Sequence, residues 1–151
     1  MCRSPSVDEQ ARLDWLESDA IHAWMDAGHG ACLLAQDGAA RIVTDALHHL
    51  DGRDYDLAAW CVMPNHVHVV CRPHEGCTLA AMLQAWKGVS AHRINRLLCR
   101  SGTLWQAESY DHLIRDHGEF RHAVQYVLEN PVKARLRSWA WVDSRVEFKW
   151  S

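Results

Sequence analysis

Apolar and polar residues alternate along this chain with two periods, and the change of period marks the elements. From residue 7 to residue 28, Leu13, Leu16, Ile21, Trp24 and Met25 fall at positions compatible with one helix face before Gly28. That spacing predicts an amphipathic helix closed by a glycine C-cap. "GAARIVTDALHHLDG" repeats the pattern, with Ile42, Val43, Ala46, Leu47 and Leu50 on one side and Gly52 at the end, and predicts a second helix. "YDLAAWCVM" and "HVHVVCR" then form two short apolar runs joined by Pro64-Asn65. Proline followed by asparagine is turn chemistry, so the pair predicts an antiparallel hairpin.

"TLAAMLQAWKGVSAHRINRLLC" returns to helical spacing behind Thr78, a candidate N-cap, with Met82, Leu83, Trp86 and Val89 among its apolar positions. "GTLWQAESYDHLIR" reads as extended, and "GEFRHAVQYVLENPVKARL" as a helix stopped near Pro131, because proline disfavours helix in the residue before it. The tail "RSWAWVDSRVEFKWS" mixes aromatic and polar residues without a period. The order helix, helix, strand, strand, helix, strand, helix predicts an α+β sandwich with the helices on one side of the sheet.

The length of 151 residues fits a single domain, 1–151. It divides into an acidic helical part (1–56), a stretch holding the chemical motifs (57–136) and the tail (137–151). The start "MCRSPSVDEQ" lacks the basic and apolar regions of a signal peptide, and no run is long enough to span a membrane. The six cysteines show no close pairing; they read as reduced core thiols in a cytoplasmic protein. "CRPHEGC" (Cys71, His74, Cys77) lacks a fourth zinc ligand.

Charge changes the picture once it is divided. The total is −3, but residues 1–56 carry four Lys or Arg against eleven Asp or Glu, while residues 57–151 carry twelve against eight. The larger part can therefore offer a basic face to phosphate. Residues 85–100 contain Lys87, Arg93, Arg96 and Arg100 and no acid, with His92 and Asn95 interleaved. Arg115, Arg121, Lys133, Arg135 and Arg137 extend the basic character.

Within the hairpin, His66 and His68 flank one valine, so on a strand they share a face about 7 Å apart. One metal ion can bridge that spacing. With eleven histidines in the chain, a single His-x-His is nevertheless close to chance, and two solvated or satisfied imidazoles are the default. The last helix changes that balance. In "QYVLENP", Tyr126 and Asn130 are one turn apart and share a helix face. An amide oxygen is a hard neutral ligand, and a tyrosine hydroxyl beside it is a candidate nucleophile. Glu129 is a substitute ligand if the helix is rotated.

"MPNHVHVV", "WKGVSAHRIN", "LWQAESYDHLIRD" and "YVLENPVKARL", in this order and spacing, resemble the REP-associated tyrosine transposases. These are IS200-like, single-tyrosine HUH nucleases, U being a hydrophobic residue. The resemblance runs from about Ala27 to Leu136. It implies a ferredoxin-like antiparallel sheet, with His66, His68 and Asn130 holding Mg²⁺ or Mn²⁺ and Tyr126 as nucleophile. The implied substrate is single-stranded DNA beside a palindromic hairpin, cut through a 5′-phosphotyrosine. Lys87, Arg93, Arg96, Arg100, Arg115, Lys133 and Arg135 are then expected on phosphates, and Trp105 or Tyr110 under bases. His112 and His117 are potential helpers in activating the phenol. The family sheet begins with a strand before the first helix, and that strand is apparently missing here. Its absence would leave an edge open to homodimerisation. It also keeps a second reading in view, a catalytically inactive protein that binds DNA hairpins. A metal-binding module unrelated to DNA is a third.

Overall fold

A computed structural model describes residues 20–28 and 32–145. They form β1 (Ile21–Ala27), α1 (Asp37–His49), β2 (Tyr55–Val62), β3 (His66–Pro73), α2 (Leu79–Leu97), β4 (Trp105–Leu113), α3 (His117–Lys133) and β5 (Val142–Ser144), with a 3₁₀ turn at Leu33–Ala35. The strands make one antiparallel sheet in the order β4-β1-β3-β2-β5. The α+β, antiparallel-sheet class is the one expected.

Two expectations are corrected. The strand thought to be missing is present: Ile21–Ala27, read as the end of a helix, is a strand lying between β3 and β4. Ala23, Met25 and Ala27 alternate inward while His22 and Trp24 point to the opposite face. The first part of the helix predicted over residues 7–28, up to residue 19 and including Leu13 and Leu16, lies outside the described residues. With the strand in place, the ground for reading the chain as inactive falls away.

The helices also take both faces of the sheet. Met25, Leu57, Trp60, Val67, Val69 and Cys71 pack with α1 and α2 residues such as Val43, Leu47, Met82 and Trp86. Ala58, Ala59, Cys61 and Val70 pack instead with Phe120, Val124 and Val127 of α3. All eight residues of β2 are buried because helices cover both of its faces.

The predicted hairpin forms as read, and its turn is anchored to other elements. Met63 N–H donates to the His66 carbonyl at 2.7 Å, the Asn65 carbonyl accepts from Ala27 N–H at 2.8 Å, and the Pro64 carbonyl accepts from Leu34 N–H at 3.0 Å. Thr78 caps α2 by accepting from Ala81 N–H at 3.2 Å. Asp116 caps α3 by accepting from Glu119 N–H, and Glu119 in return accepts from Arg115 N–H, both at 2.8 Å. This reciprocal pair places two carboxylates at the positive end of the helix dipole.

Pro131 does not stop α3, which runs on to Lys133. The helix closes at Arg135, in the left-handed region at φ 59°. Arg135 N–H donates to the Val132 carbonyl and Leu136 N–H to the Pro131 carbonyl, which satisfies the last carbonyls in a Schellman arrangement. The unassigned tail contributes β5, an edge strand beside β2, while residues 146–151 lie outside the described residues. The cysteines divide: Cys61 and Cys71 are buried thiols as expected, whereas Cys32 and Cys99 are exposed. Among the described residues, no helix is long and apolar enough to cross a membrane.

Candidate active site on the helix α3 face

Strand register builds the site. Trp24 is opposite His68 and Asp26 opposite His66 across β1 and β3, while Trp24 is opposite Tyr110 and His22 opposite His112 across β1 and β4. Their side chains share the face that α3 covers. The His66 and His68 rings meet edge to face, 4.9 Å between centroids. Tyr126 of α3 packs its ring 5.4 Å from His68 and 5.7 Å from His22. Three of the four residues singled out for chemistry thus come together. The fourth, Asn130, is half-buried one helical turn beyond Tyr126.

Hydrogen bonds assign the imidazole protons. His66 Nδ1 lies 2.7 Å from the Asn65 side-chain oxygen, which only accepts. Nδ1 therefore carries the hydrogen, and the lone pair of neutral His66 is on Nε2. His68 Nδ1 lies 3.1 Å from His22 Nε2, a pairing that shares one N–H between the rings.

Burial keeps these imidazoles neutral. It pushes His68 down to about 3, helped by His22 and His66, and His22 down to about 4, helped by His112. Burial also lowers His66, opposed by the Asp26 carboxylate. A neutral imidazole offers the lone pair that a metal needs. Imidazole nitrogens and an amide oxygen are both donor types that a divalent cation accepts. Among the described residues, no group of three or more His, Cys, Asp or Glu is arranged to hold a metal. Glu129, the substitute ligand, is engaged by Gln125 at 2.9 Å and Lys133 at 3.8 Å. The zinc-like fragment is also committed elsewhere: His74 bonds the Arg53 carbonyl and Asp56, both at 2.8 Å.

Beside Tyr126 opens a cavity of about 770 Å³, bounded on the sheet by His22, Trp24, His68 and His112, and on α3 by Gly118, Glu119, His122, Ala123 and Tyr126. Trp24 and His22 belong to the strand that was misread as helix. The signal that could have found them is the alternation of Ala23, Met25 and Ala27 against His22 and Trp24. Of the expected helpers, His112 borders the cavity, and His117 opens α3 at its first residue.

The basic residues divide between the faces. Arg115, Lys133 and Arg135 are exposed around α3, and Lys133 sits 5.4 Å above the Tyr126 ring. Arg93 and Arg96 are exposed on α2, against the opposite side of the sheet. Two expected DNA contacts are committed within the protein. Lys87 donates to the Gln106 carbonyl at 2.9 Å, and burial lowers its pKa against the pull of Asp26. Arg100 donates to Asn95 at 2.6 Å, and Asn95 donates to the Gly102 carbonyl at 2.9 Å. Trp105 is not a base platform: it is buried, and its indole N–H donates to Ser90 at 2.9 Å. Tyr110 is exposed and stacks on Trp24, with centroids 5.2 Å apart and planes 14° apart.

Sequence and structure comparisons identify relatives of the chain. Residues 37–130 match the family model described as IS200-like transposase. A REP-associated tyrosine transposase of Escherichia coli (strain K12) is 30% identical over 81 residues, 54% of this chain and 47% of its own. The chain spans about half the length of the curated relatives it matches. The solved structure of a REP-associated tyrosine transposase bound to a REP hairpin superposes with a TM-score of 0.67. That match is at 22% identity and covers 83% of this chain and 76% of the other.

Proposed function

From the premise that the chain belongs to the IS200-like transposase family, we propose that it cuts and rejoins single-stranded DNA beside a palindromic hairpin, with Tyr126 as nucleophile. The observation that carries this reading is the packing of the Tyr126 ring 5.4 Å from His68, which itself meets His66. Tyr126 and the buried His68 line one opening to solvent, which packing alone does not require. Tyr126 is 40% exposed, so a phosphodiester can reach its hydroxyl.

In the proposed reaction the phenol oxygen attacks phosphorus in line and the P–O3′ bond breaks. The strand leaves with a 3′-OH, and the 5′-phosphate remains on Tyr126. The phenolic proton passes to a basic group in the cavity, which His112 and His122 both border. The phosphotyrosine bond conserves the energy of the phosphodiester, so another 3′-OH can reverse the step and join strands without ATP. His66, His68 and Asn130 would hold Mg²⁺ or Mn²⁺, which supplies charge stabilisation on a non-bridging phosphate oxygen. Lys133, above the Tyr126 ring, and the exposed Arg115 and Arg135 just beyond the two ends of α3 favour the approach of the phosphate backbone.

The test is a covalent adduct. Incubation with a hairpin carrying single-stranded flanks and Mg²⁺ or Mn²⁺ is expected to give a denaturation-resistant protein–DNA species. Tyr126→Phe is expected to abolish it and His66→Ala to reduce it by orders of magnitude, with hairpin binding little changed. An adduct formed equally well by Tyr126→Phe would refute the assignment.

A further inference from the structure

We propose that the cavity beside Tyr126 is a slot for one unstacked nucleobase of the DNA strand, with Trp24 as its platform. The inference rests on the nuclease reading and adds to it a specific position for a base. Three observations carry it. The sheet side of the cavity is made of flat rings, His22, Trp24 and His68. Trp24 is held in place by its parallel stack on Tyr110 and by a second ring, His22, at 5.4 Å. The α3 side presents Gly118 and Ala123 across from those rings, and two such small residues leave depth for a planar group.

The charge pattern separates base from backbone. The cavity lining contains no Lys or Arg, whereas Lys133, above the Tyr126 ring, and the exposed Arg135 stand outside it. Phosphate therefore belongs with the outer cations, and the uncharged ring belongs inside. Glu119, His112 and His122 supply polar atoms at the rim, where the edge of a base would seek hydrogen bonds. A volume of about 770 Å³ lies within the range of sites that enclose small organic ligands. It leaves room for the sugar beside the base.

The slot is tested on protein that cannot react: Tyr126→Phe, without divalent metal, binding a DNA hairpin with short single-stranded flanks. 2-Aminopurine is walked through the flanks, and a matched series carries an abasic site at each position. At one position, binding is expected to quench the fluorophore several-fold. The abasic site at that same position is expected to weaken affinity about tenfold, the scale of one base–aromatic stack.

Adding Trp24→Ala is expected to remove both signals, and Trp24→Phe to keep them. Trp24→Leu keeps apolar bulk without a flat ring and serves as the comparison if the alanine variant does not fold. The proposal is overturned if no flank position responds, or if the response is unchanged in Trp24→Leu or Trp24→Ala. The adduct assay on the wild-type protein is read separately. An adduct without a responding position sinks the slot alone, and a responding position without an adduct sinks the nuclease reading alone.

Discussion

His22 Nε2 on β1 and His68 Nδ1 on β3 lie 3.1 Å apart, and this contact decides which nitrogen of His68 is free to bind a ligand. If Nδ1 carries the hydrogen and donates to His22, Nε2 keeps its lone pair for a metal. Such outer partners commonly set the affinity of a site by tenfold or more. His22→Phe removes the acceptor while filling similar space, and is expected to weaken Mn²⁺ binding about 10- to 100-fold. His22→Gln, which returns an acceptor oxygen, should recover part of that loss. Calorimetry or Mn²⁺ spin resonance on the DNA-free protein measures both, and unchanged affinity in His22→Phe would remove His22 from this role.

The same two imidazoles make stability depend on acidity. In the folded chain burial holds His68 down to about 3 and His22 to about 4, against 6.5 for a free imidazole. Well above pH 6.5 neither folded nor unfolded chain protonates them, so they add no slope. Below it the unfolded chain takes up protons that the folded chain refuses, and stability falls toward about pH 4 and then 3. The melting temperature of the metal-free protein is expected to drop through this window. The drop should be shallower in His22→Phe, and identical acid profiles in the two proteins would contradict the account.

Tyr55 ties three elements together from the other side of the sheet. Its buried hydroxyl accepts from the Trp86 indole N–H at 2.9 Å and donates to the Leu47 carbonyl. Burial pushes its phenol up to about 12. Tyr55→Phe strands a buried donor on α2 and an acceptor on α1, and is expected to cost about 1–3 kcal/mol in urea unfolding. A change below a few tenths of that would mean water replaces the hydroxyl.

Arg135 gives a prediction with opposite signs in two assays. Its φ of 59° is strained for arginine and free for glycine. Arg135→Gly is expected to stabilise the fold by about 1 kcal/mol. If its guanidinium meets phosphate, the same change weakens hairpin binding and lowers the salt dependence of that binding by about one ion. Binding with an unchanged salt slope would leave Arg135 a helix cap only.

What the sequence made legible was local chemistry. The hairpin at Pro64-Asn65 and the Thr78 cap both follow from short-range rules, and the fold bears them out. β1 was misread because Ile21, Trp24 and Met25 happen to fall at helical spacing. Its alternation was masked, since Trp24 lines the cavity face and is as apolar as the core residues behind it. The basic run on α2 looked continuous in one dimension. Folding turns Lys87 onto a carbonyl of β4 and Arg100 onto Asn95, and leaves only Arg93 and Arg96 free to solvent. Pro131 did not stop α3, which runs two residues beyond it; the missing N–H costs the helix one bond, to the carbonyl four residues back, without ending it.

The position of β1 inside the sheet has a practical consequence for anyone cutting the gene. A fragment begun at Asp37 would retain every motif by which the family is recognised, since the family match starts there and the four motifs all begin after it. It would also lack the strand that joins β3 to β4. Four signature motifs would then sit on a sheet split down its middle, with His68 unbraced and one wall of the cavity gone. The stretch that carries the recognisable signature and the stretch that makes a working unit therefore have different boundaries.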